Sequence, residues 1–143
     1  MCGAVMYSYE DHMKKIFFSM PTAKLPVRQK DGSVKLYTWG RRKDEAGLLP
    51  QTNCAREDSY KIGKWDQHFP RKVKIMISSF REHYTDPDTQ KIQYDWDVLN
   101  DGAYIVGLKC RDFDKTDRVY VVTINPGGKS KYHRYPLIFN NIE

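Results

Sequence analysis

Two nearly continuous apolar segments, 103–110 and 119–124, constrain the fold of this chain more than any other feature. Apolar runs of this length are typical of strands that lie in the middle of a sheet, with neighbours on both sides. The sequence Asn-Pro-Gly-Gly at 125–128 ends the second run. We therefore predict two central strands, and a sheet large enough to cover them.

Three further segments have the composition or alternation of strands. Residues 34–39 are rich in β-favouring side chains and end at Gly40. Residues 72–80 alternate, with apolar side chains on one face and lysines on the other, and residues 92–98 alternate again. The sequence Asn-Asp-Gly at 100–102 predicts a hairpin turn. Short strands of this kind favour a β-rich domain.

One helix is predicted near the N-terminus, over residues 8–20. Ser8 and Asp11 have the spacing of a capping box, and Pro21 ends the segment. The apolar residues that recur at helical spacing are Met13, Ile16, Phe17 and Met20.

A long polar loop is expected over residues 41–59, with Trp65 and Phe69 anchoring the chain to the core after it. Together these elements predict one α+β domain over residues 1–143. It is β-rich, with a strongly curved sheet or small barrel and a short N-terminal helix.

The composition limits the classes of function. The 24 Lys and Arg residues exceed the 18 Asp and Glu residues, and the net charge of +6 suits a polyanionic partner. The three cysteines lack the spacing of a zinc site, so we expect no metal and no cofactor. No apolar run reaches the roughly 18 residues that a membrane span needs. We expect a monomeric cytoplasmic protein, either associated with the nucleoid or, if viral, in the host cytoplasm.

Cys2 is the residue with the most distinctive chemistry. Removal of Met1 would leave it with a free α-amine and a thiol on neighbouring carbons. Amines and thiols of this kind have ordinary pKa values of about 7.7–8.0 and about 8.5, so both are partly nucleophilic near neutral pH. An amine and a thiol at this spacing condense with an aldehyde, first to an imine and then to a five-membered thiazolidine.

Four polar residues lie where predicted strands end, and each has an ordinary structural explanation as well as a functional one. Asn53 and Arg56 lie in the long loop, Glu82 follows the strand that ends at Phe80, and His133 follows the last central strand. Loop residues on a rigid sheet often carry function. Instead, Asn53 could form a turn, Arg56 could form an ion pair, and Glu82 and His133 could be ordinary solvated surface residues.

The order of these segments resembles the SOS response-associated peptidase family, whose members crosslink to abasic sites in DNA. The matching segments run through most of the chain: Cys2-Gly3, Trp39-Gly40, Thr52-Asn53-Cys54-Ala55-Arg56, Phe80-Arg81-Glu82 and His133-Arg134-Tyr135-Pro136. The chain departs from the family pattern at Ala4, where the family has arginine, and at His83, where it has tryptophan. Either Asn53 or Cys54 can occupy the position of the family asparagine.

The resemblance implies a partner, single-stranded DNA with abasic sites, and a covalent thiazolidine between Cys2 and the lesion aldehyde. It implies catalytic roles for Cys2, Glu82 as a proton-transfer group, His133 as an acid–base partner in sugar opening, and Asn53 as an orienting residue. It also implies DNA contacts, for which the candidates are Trp39, Gly40, Arg41, Arg42, Arg56, Lys72, Lys74, Lys129, Lys131 and Arg134.

Two other functions remain open at this point. A non-covalent single-strand-binding domain would use aromatic side chains such as Trp39 and Tyr132 to stack on bases. A cysteine peptidase or autoprocessing hydrolase would use Cys2 as nucleophile and His133 as base.

Overall fold

The computed structural model describes residues 2–140, and most of its regular structure is strand. The strands are β1 (Ala4–Tyr9), β2 (His12–Phe17), β3 (Lys24–Arg28), β4 (Val34–Trp39), β5 (Cys54–Arg56), β6 (Arg71–Ile75), β7 (Ser79–Thr85), β8 (Ile92–Val98), β9 (Tyr104–Arg111), β10 (Asp117–Ile124), β11 (Tyr135–Pro136) and β12 (Ile138–Phe139). The α-helix α1 spans Glu57–Lys61, and a 3₁₀ turn spans Asp66–His68. No helix in residues 2–140 is both long enough and apolar enough to cross a membrane.

Five strands close into a small barrel in the order β10-β4-β3-β6-β9, because β9 also pairs with β10. The pairing of β4 with β10 is parallel, and the other four are antiparallel. Leu25, Val27, Ile75, Ile105, Val119 and Val121 are among the buried residues of the interior. The predicted β-rich α+β fold with a small barrel is therefore confirmed.

A second core covers the outside of the barrel wall at β9 and β10. Along β10, Val119 and Val121 belong to the interior core, whereas Tyr120 and Val122 belong to this outer core. Trp65 packs edge-on against Tyr120 with ring centroids 5.0 Å apart. Burial on both faces explains why the two central strands are apolar throughout.

The two predicted anchors differ in outcome. Trp65 lies in the outer core, as expected. Phe69 is 78% exposed and has a φ of +51°, so the prediction that it anchors the chain is wrong. Its backbone ends the 3₁₀ turn in the left-handed region, and its ring is directed away from the core.

The predicted helix over residues 8–20 is wrong, because this segment forms most of a β-hairpin. β1 pairs with β2 from Ala4 opposite Phe17 to Tyr9 opposite His12. The two turn residues, Glu10 and Asp11, both have positive φ, which matches a two-residue hairpin loop. The apolar residues at helical spacing do not share one buried face in the hairpin, so their spacing does not indicate a helix here.

A four-stranded sheet, in the order β2-β1-β7-β8, lies beside the barrel. The predicted strand over 72–80 is in fact two strands, since residues 76–78 carry the chain from the barrel into this sheet. The amide of Met76 donates to the carbonyl of Pro26 in the barrel, and the amide of Ser78 donates to the carbonyl of Met6.

Two connecting segments also differ from their predictions. The turn at 100–102 joins β8 of the four-stranded sheet to β9 of the barrel, so it is not a hairpin turn. The expected loop over 41–59 includes all of β5 and the start of α1.

Candidate functional site

Cys2 lies two residues before β1, in contact with the interior core. It is fully buried and belongs to the interior core with Trp39 and Cys54. The main chain beside it is held on both sides. The amide of Gly3 donates to the carbonyl of Arg81 at 3.4 Å, and the carbonyl of Gly3 accepts from the amide of Phe18 at 3.0 Å.

Asn53 contacts the main chain of Cys2 directly. Its side-chain amide donates a hydrogen bond to the carbonyl oxygen of Cys2. The carbonyl of Asn53 accepts from the indole of Trp39 at 3.0 Å and from the amide of Val121 at 3.1 Å. Two barrel strands therefore fix the position of the amide that holds Cys2.

Gly40 is needed for this arrangement. Its φ is +51°, and a Cβ placed there would lie 2.2 Å from the carbonyl oxygen of Thr52. Only glycine allows the chain to turn out of β4 while residues 52 and 53 lie so close. The Trp39-Gly40 pair thus supports the Asn53 position from inside the protein.

Glu82 lies on β7 next to the start of β1. Because Ala4 pairs with Arg81 and Val5 with Phe80, extension of the ladder brings Gly3 alongside Glu82. The side chain of Glu82 is 1% exposed. Burial raises its pKa to about 7, and the nearby Asp97 acts in the same direction. A carboxyl group with this pKa can both accept and donate a proton near neutral pH.

The two thiols at the site are protonated at neutral pH. Burial raises the pKa of Cys2 well above its ordinary value, and Cys54 and Glu82 raise it further. Burial, with a smaller effect of Glu82, raises the pKa of Cys54 to about 12. Cys54 lies close to Cys2, since its Sγ is 3.9 Å from the Cys2 carbonyl oxygen. Cys2 is therefore not a preformed thiolate in this structure.

Two acidic residues of β8 face the same side of the sheet as Glu82, and the sequence analysis missed them. Asp95 pairs directly with Glu82 across the ladder, and Asp97 pairs with Phe80. Tyr132 donates a hydrogen bond to Asp95 at 2.7 Å, and Tyr135 donates one to Asp97. The alternation in 92–98 was visible, but its polar side rather than its apolar side turns inward.

A pocket of about 380 Å³ lies in this region, between β7 and the segment before β11. We call it the Arg56 pocket, and its lining residues are Arg56, His83, Tyr84, Thr85, Lys131, His133 and Arg134. None of them is acidic, and Arg56, Lys131 and Arg134 are cationic at neutral pH, with Asp95 of β8 paired to Lys131. The pocket therefore has the charge of a site for an anion such as a phosphate group.

The predicted DNA contacts at residues 39–42 disagree with the structure. Trp39 is 0% exposed and Gly40 is buried, so neither presents a surface to DNA. The guanidinium of Arg42 is buried, 2.7 Å from Glu45 and bonded to the carbonyl of Phe18. Arg41 donates to the carbonyls of Leu49 and Glu45. These two arginines hold the loop after β4.

The other predicted cations divide into separate regions. Lys72 and Lys74 line a different basic groove with Arg28, Lys30 and Lys109, and that groove shares no lining residue with the Arg56 pocket. Lys129 is exposed in the loop after β10. The side chain of Lys131 is half exposed and lies 2.6 Å from Asp95.

Arg134 and His133 are neighbours in sequence but differ in environment. Arg134 is 7% exposed and donates to the carbonyl of Thr123 at 2.7 Å, so much of its hydrogen-bonding capacity supports the fold. His133 is exposed at the wall of the pocket. Its proposed acid–base role stays a prediction.

No cluster of metal-ligating side chains is present among residues 2–140. Comparisons with known proteins add no identification, since no protein-family model and no curated protein matches this chain.

Proposed function

We propose that this protein binds single-stranded DNA and forms a covalent thiazolidine between Cys2 and the aldehyde of an abasic site. The observation that supports this most is the grouping of Cys2, Asn53 and Glu82 around the start of β1. These residues come from three separate parts of the chain. A structural cysteine does not require a nearby carboxyl group of pKa about 7.

The reaction begins at the α-amine, which Cys2 has once Met1 has been removed. The amine attacks C1′ of the open-ring sugar and gives a carbinolamine, which loses water to form an imine. The Cys2 sulfur then attacks the imine carbon and closes the five-membered ring, while the thiol proton passes to the imine nitrogen. The balance is aldehyde plus aminothiol to thiazolidine plus one water, with no oxidation or reduction.

Glu82 supplies the proton transfers that this sequence needs. As a carboxylate it accepts the proton that the amine loses on addition, and as the acid it donates to the departing hydroxyl group. Both forms are populated near pH 7 because burial raises the pKa of Glu82 to about 7. The protonated thiol of Cys2 fits an order in which the amine reacts first.

The basic lining of the Arg56 pocket supports the proposal that DNA binds beside this chemistry. Arg56 is exposed and can contact a backbone phosphate. Lys131 is half exposed but already paired with Asp95 at 2.6 Å, so Arg56 is the stronger candidate. The pocket includes Tyr84, which lies on the same face of β7 as Glu82. If a DNA phosphate occupied the pocket, the neighbouring sugar of that DNA strand would lie close to the carboxyl group of Glu82.

A cysteine hydrolase fits the site less well. Such enzymes lower the pKa of the nucleophilic thiol, usually with a histidine or another cation beside it. At Cys2 the burial, Cys54 and Glu82 all raise the pKa. These effects favour a neutral thiol over an attacking thiolate.

The experiment that tests the proposal incubates the protein with single-stranded DNA that contains one abasic site and separates the products on a denaturing gel. We expect a heat-stable shifted band with abasic DNA and none with undamaged DNA. Cys2→Ala should abolish the band, and Cys54→Ala is the matched control because Cys54 is also buried at the site. A band that survived Cys2→Ala but not Cys54→Ala would refute the assignment.

A further inference from the structure

The outward face of the four-stranded sheet carries aromatic and cationic side chains instead of the polar residues typical of a solvated sheet face. On β8, Tyr94 is 54% exposed and Trp96 is 37% exposed. Arg81 lies on β7 with its guanidinium 4.3 Å from the Tyr94 ring centroid and 5.0 Å from that of Phe17. We call this surface, made of Lys15, Phe17, Arg81, His83, Tyr94 and Trp96, the outer aromatic face.

The register of the sheet explains how these side chains meet. Phe17, Ala4, Arg81 and Trp96 form one row across the four strands. Ala4 on β1 is small, so the side chains of Phe17 and Arg81, which flank it on β2 and β7, meet above it. Lys15 reaches to 5.3 Å from the ring of Trp96, although two strands lie between their own strands.

The charge on this face has one sign. The acidic residues of the strands β1, β2, β7 and β8 are Glu82, Asp95 and Asp97, and all three side chains lie on the inward face. Acidic residues outside these strands lie in the turns at 10–11 and 86–88 and, after β8, at Asp101. The face therefore combines flat aromatic surface with positive charge, which suits a partner with both bases and phosphates.

The face is continuous with the pocket at the candidate site. His83 lines the Arg56 pocket and also contacts Tyr94, with ring centroids 6.2 Å apart. A single DNA strand that leaves the pocket past His83 reaches Tyr94 and then Trp96 without crossing an acidic side chain of β7 or β8.

We infer that the outer aromatic face binds single-stranded DNA without covalent chemistry, with bases stacked on Tyr94 and Trp96 and phosphates near Arg81 and Lys15. The inference extends the proposed function to the strand beside the lesion. It does not need the reaction at Cys2, because stacking on aromatic side chains tolerates any base. It assigns a function to the exposed side of a strand whose other side holds Asp95 and Asp97.

Intrinsic fluorescence tests this inference directly, because the other two tryptophans, Trp39 and Trp65, are 0% and 8% exposed. We expect an undamaged oligothymidylate of about 12 nucleotides to quench Trp96 in the Cys2→Ala protein. Trp96→Phe should lose the quench and keep most of the affinity, measured by anisotropy of labelled DNA. Trp96→Ala should bind about tenfold more weakly.

Phe113→Ala is the matched control, since Phe113 is a 71% exposed aromatic outside this face, and its affinity should equal that of the parent. Tyr94→Ala provides a second test if Trp96→Ala unfolds. Equal affinities for the Trp96, Tyr94 and Phe113 alanine variants would overturn the inference. So would a dimer that Trp96→Ala dissociates with no change in DNA binding, because the face would then bind a second copy.

Failure of this inference and failure of the proposed function give different results. Crosslinking by a protein that shows no Trp96 quench would leave the reaction at Cys2 intact and refute only the outer aromatic face. A Trp96 quench with no crosslink would refute the reaction at Cys2 and leave the outer aromatic face intact.

Discussion

The side-chain amide of Asn53 donates a hydrogen bond to the carbonyl oxygen of Cys2, across 51 positions of sequence. The bond is buried, and the main chain of Asn53 is itself held by Trp39 and Val121. Cys2 is therefore positioned by the barrel as well as by its own strand.

Asn53→Ala should slow crosslinking to abasic DNA by roughly tenfold or more, because the amine is no longer held in place for attack. It should also lower the free energy of unfolding by about 1–3 kcal/mol, since the carbonyl of Cys2 loses its buried partner. Single-turnover rates and urea unfolding measure the two effects. Asn125→Ala is the control, because Asn125 is exposed in the loop after β10. Equal rates for both variants would show that Asn53 has no positioning role.

Glu82→Gln should reduce the crosslinking rate by roughly 10²–10⁴-fold, the usual contribution of a positioned acid–base group. Affinity for undamaged single-stranded DNA should be unchanged or slightly higher, because the variant loses a negative charge. A gel time course beside an anisotropy titration separates the two quantities. A rate within about twofold of the parent would mean that Glu82 has only a structural role.

The same substitution should change how stability depends on pH. The folded protein holds the Glu82 proton up to about pH 7, whereas an unfolded glutamate loses it near 4.5. Between these values the folded state binds more protons, so this residue lowers the free energy of unfolding as pH rises. Glu82→Gln should therefore be more stable than the parent at pH 8, by at most about 3 kcal/mol, and this difference should shrink to nothing near pH 4. A difference that grew toward acid pH would contradict the raised pKa.

Arg56→Gln should weaken binding to single-stranded DNA and reduce the slope of log K against log salt by roughly 0.7 for each phosphate that the protein no longer neutralises. Arg56 is the better test than Arg134, because Arg134 is buried against Thr123 and its substitution would disturb the fold. Lys64→Gln is the control, since it removes one exposed positive charge outside the pocket. Equal slopes for the two variants would exclude a phosphate contact at Arg56.

The sequence predicted strands that are buried on both faces, but it did not predict which side of an alternating strand faces inward. The apolar runs at 103–110 and 119–124 could be assigned because each is buried on both faces. The alternation at 92–98 was ambiguous, since Trp96 and Asp95 alternate whichever side faces inward. Only the contacts with Tyr132 and Tyr135, which come from a distant segment, decide that the acidic side does.

The candidate site was predictable in part. Motif order singled out Cys2, Asn53 and Glu82 as a group, and the fold places them around one strand end. Arg42 and Trp39 were misassigned because the residue type of a cation or an aromatic carries no information on burial. Tertiary packing alone brings Glu45 and Phe18 to Arg42 and the interior core to Trp39.

Cys2→Ser separates the two steps of the proposed reaction. The serine amine can still form the imine, but its hydroxyl group is a poorer nucleophile for ring closure. We expect no stable crosslink for this variant unless cyanoborohydride is added to reduce the imine to an amine. A stable crosslink without the reductant would show that the thiol is not required.

Intact mass spectrometry of the covalent product tests the central claim most directly. The predicted mass is that of the protein without Met1 plus the abasic oligonucleotide, less one water. Fragmentation should place the added mass on Cys2. A product that retains Met1, or one whose added mass lies on a lysine or on Cys54, would contradict thiazolidine formation at Cys2.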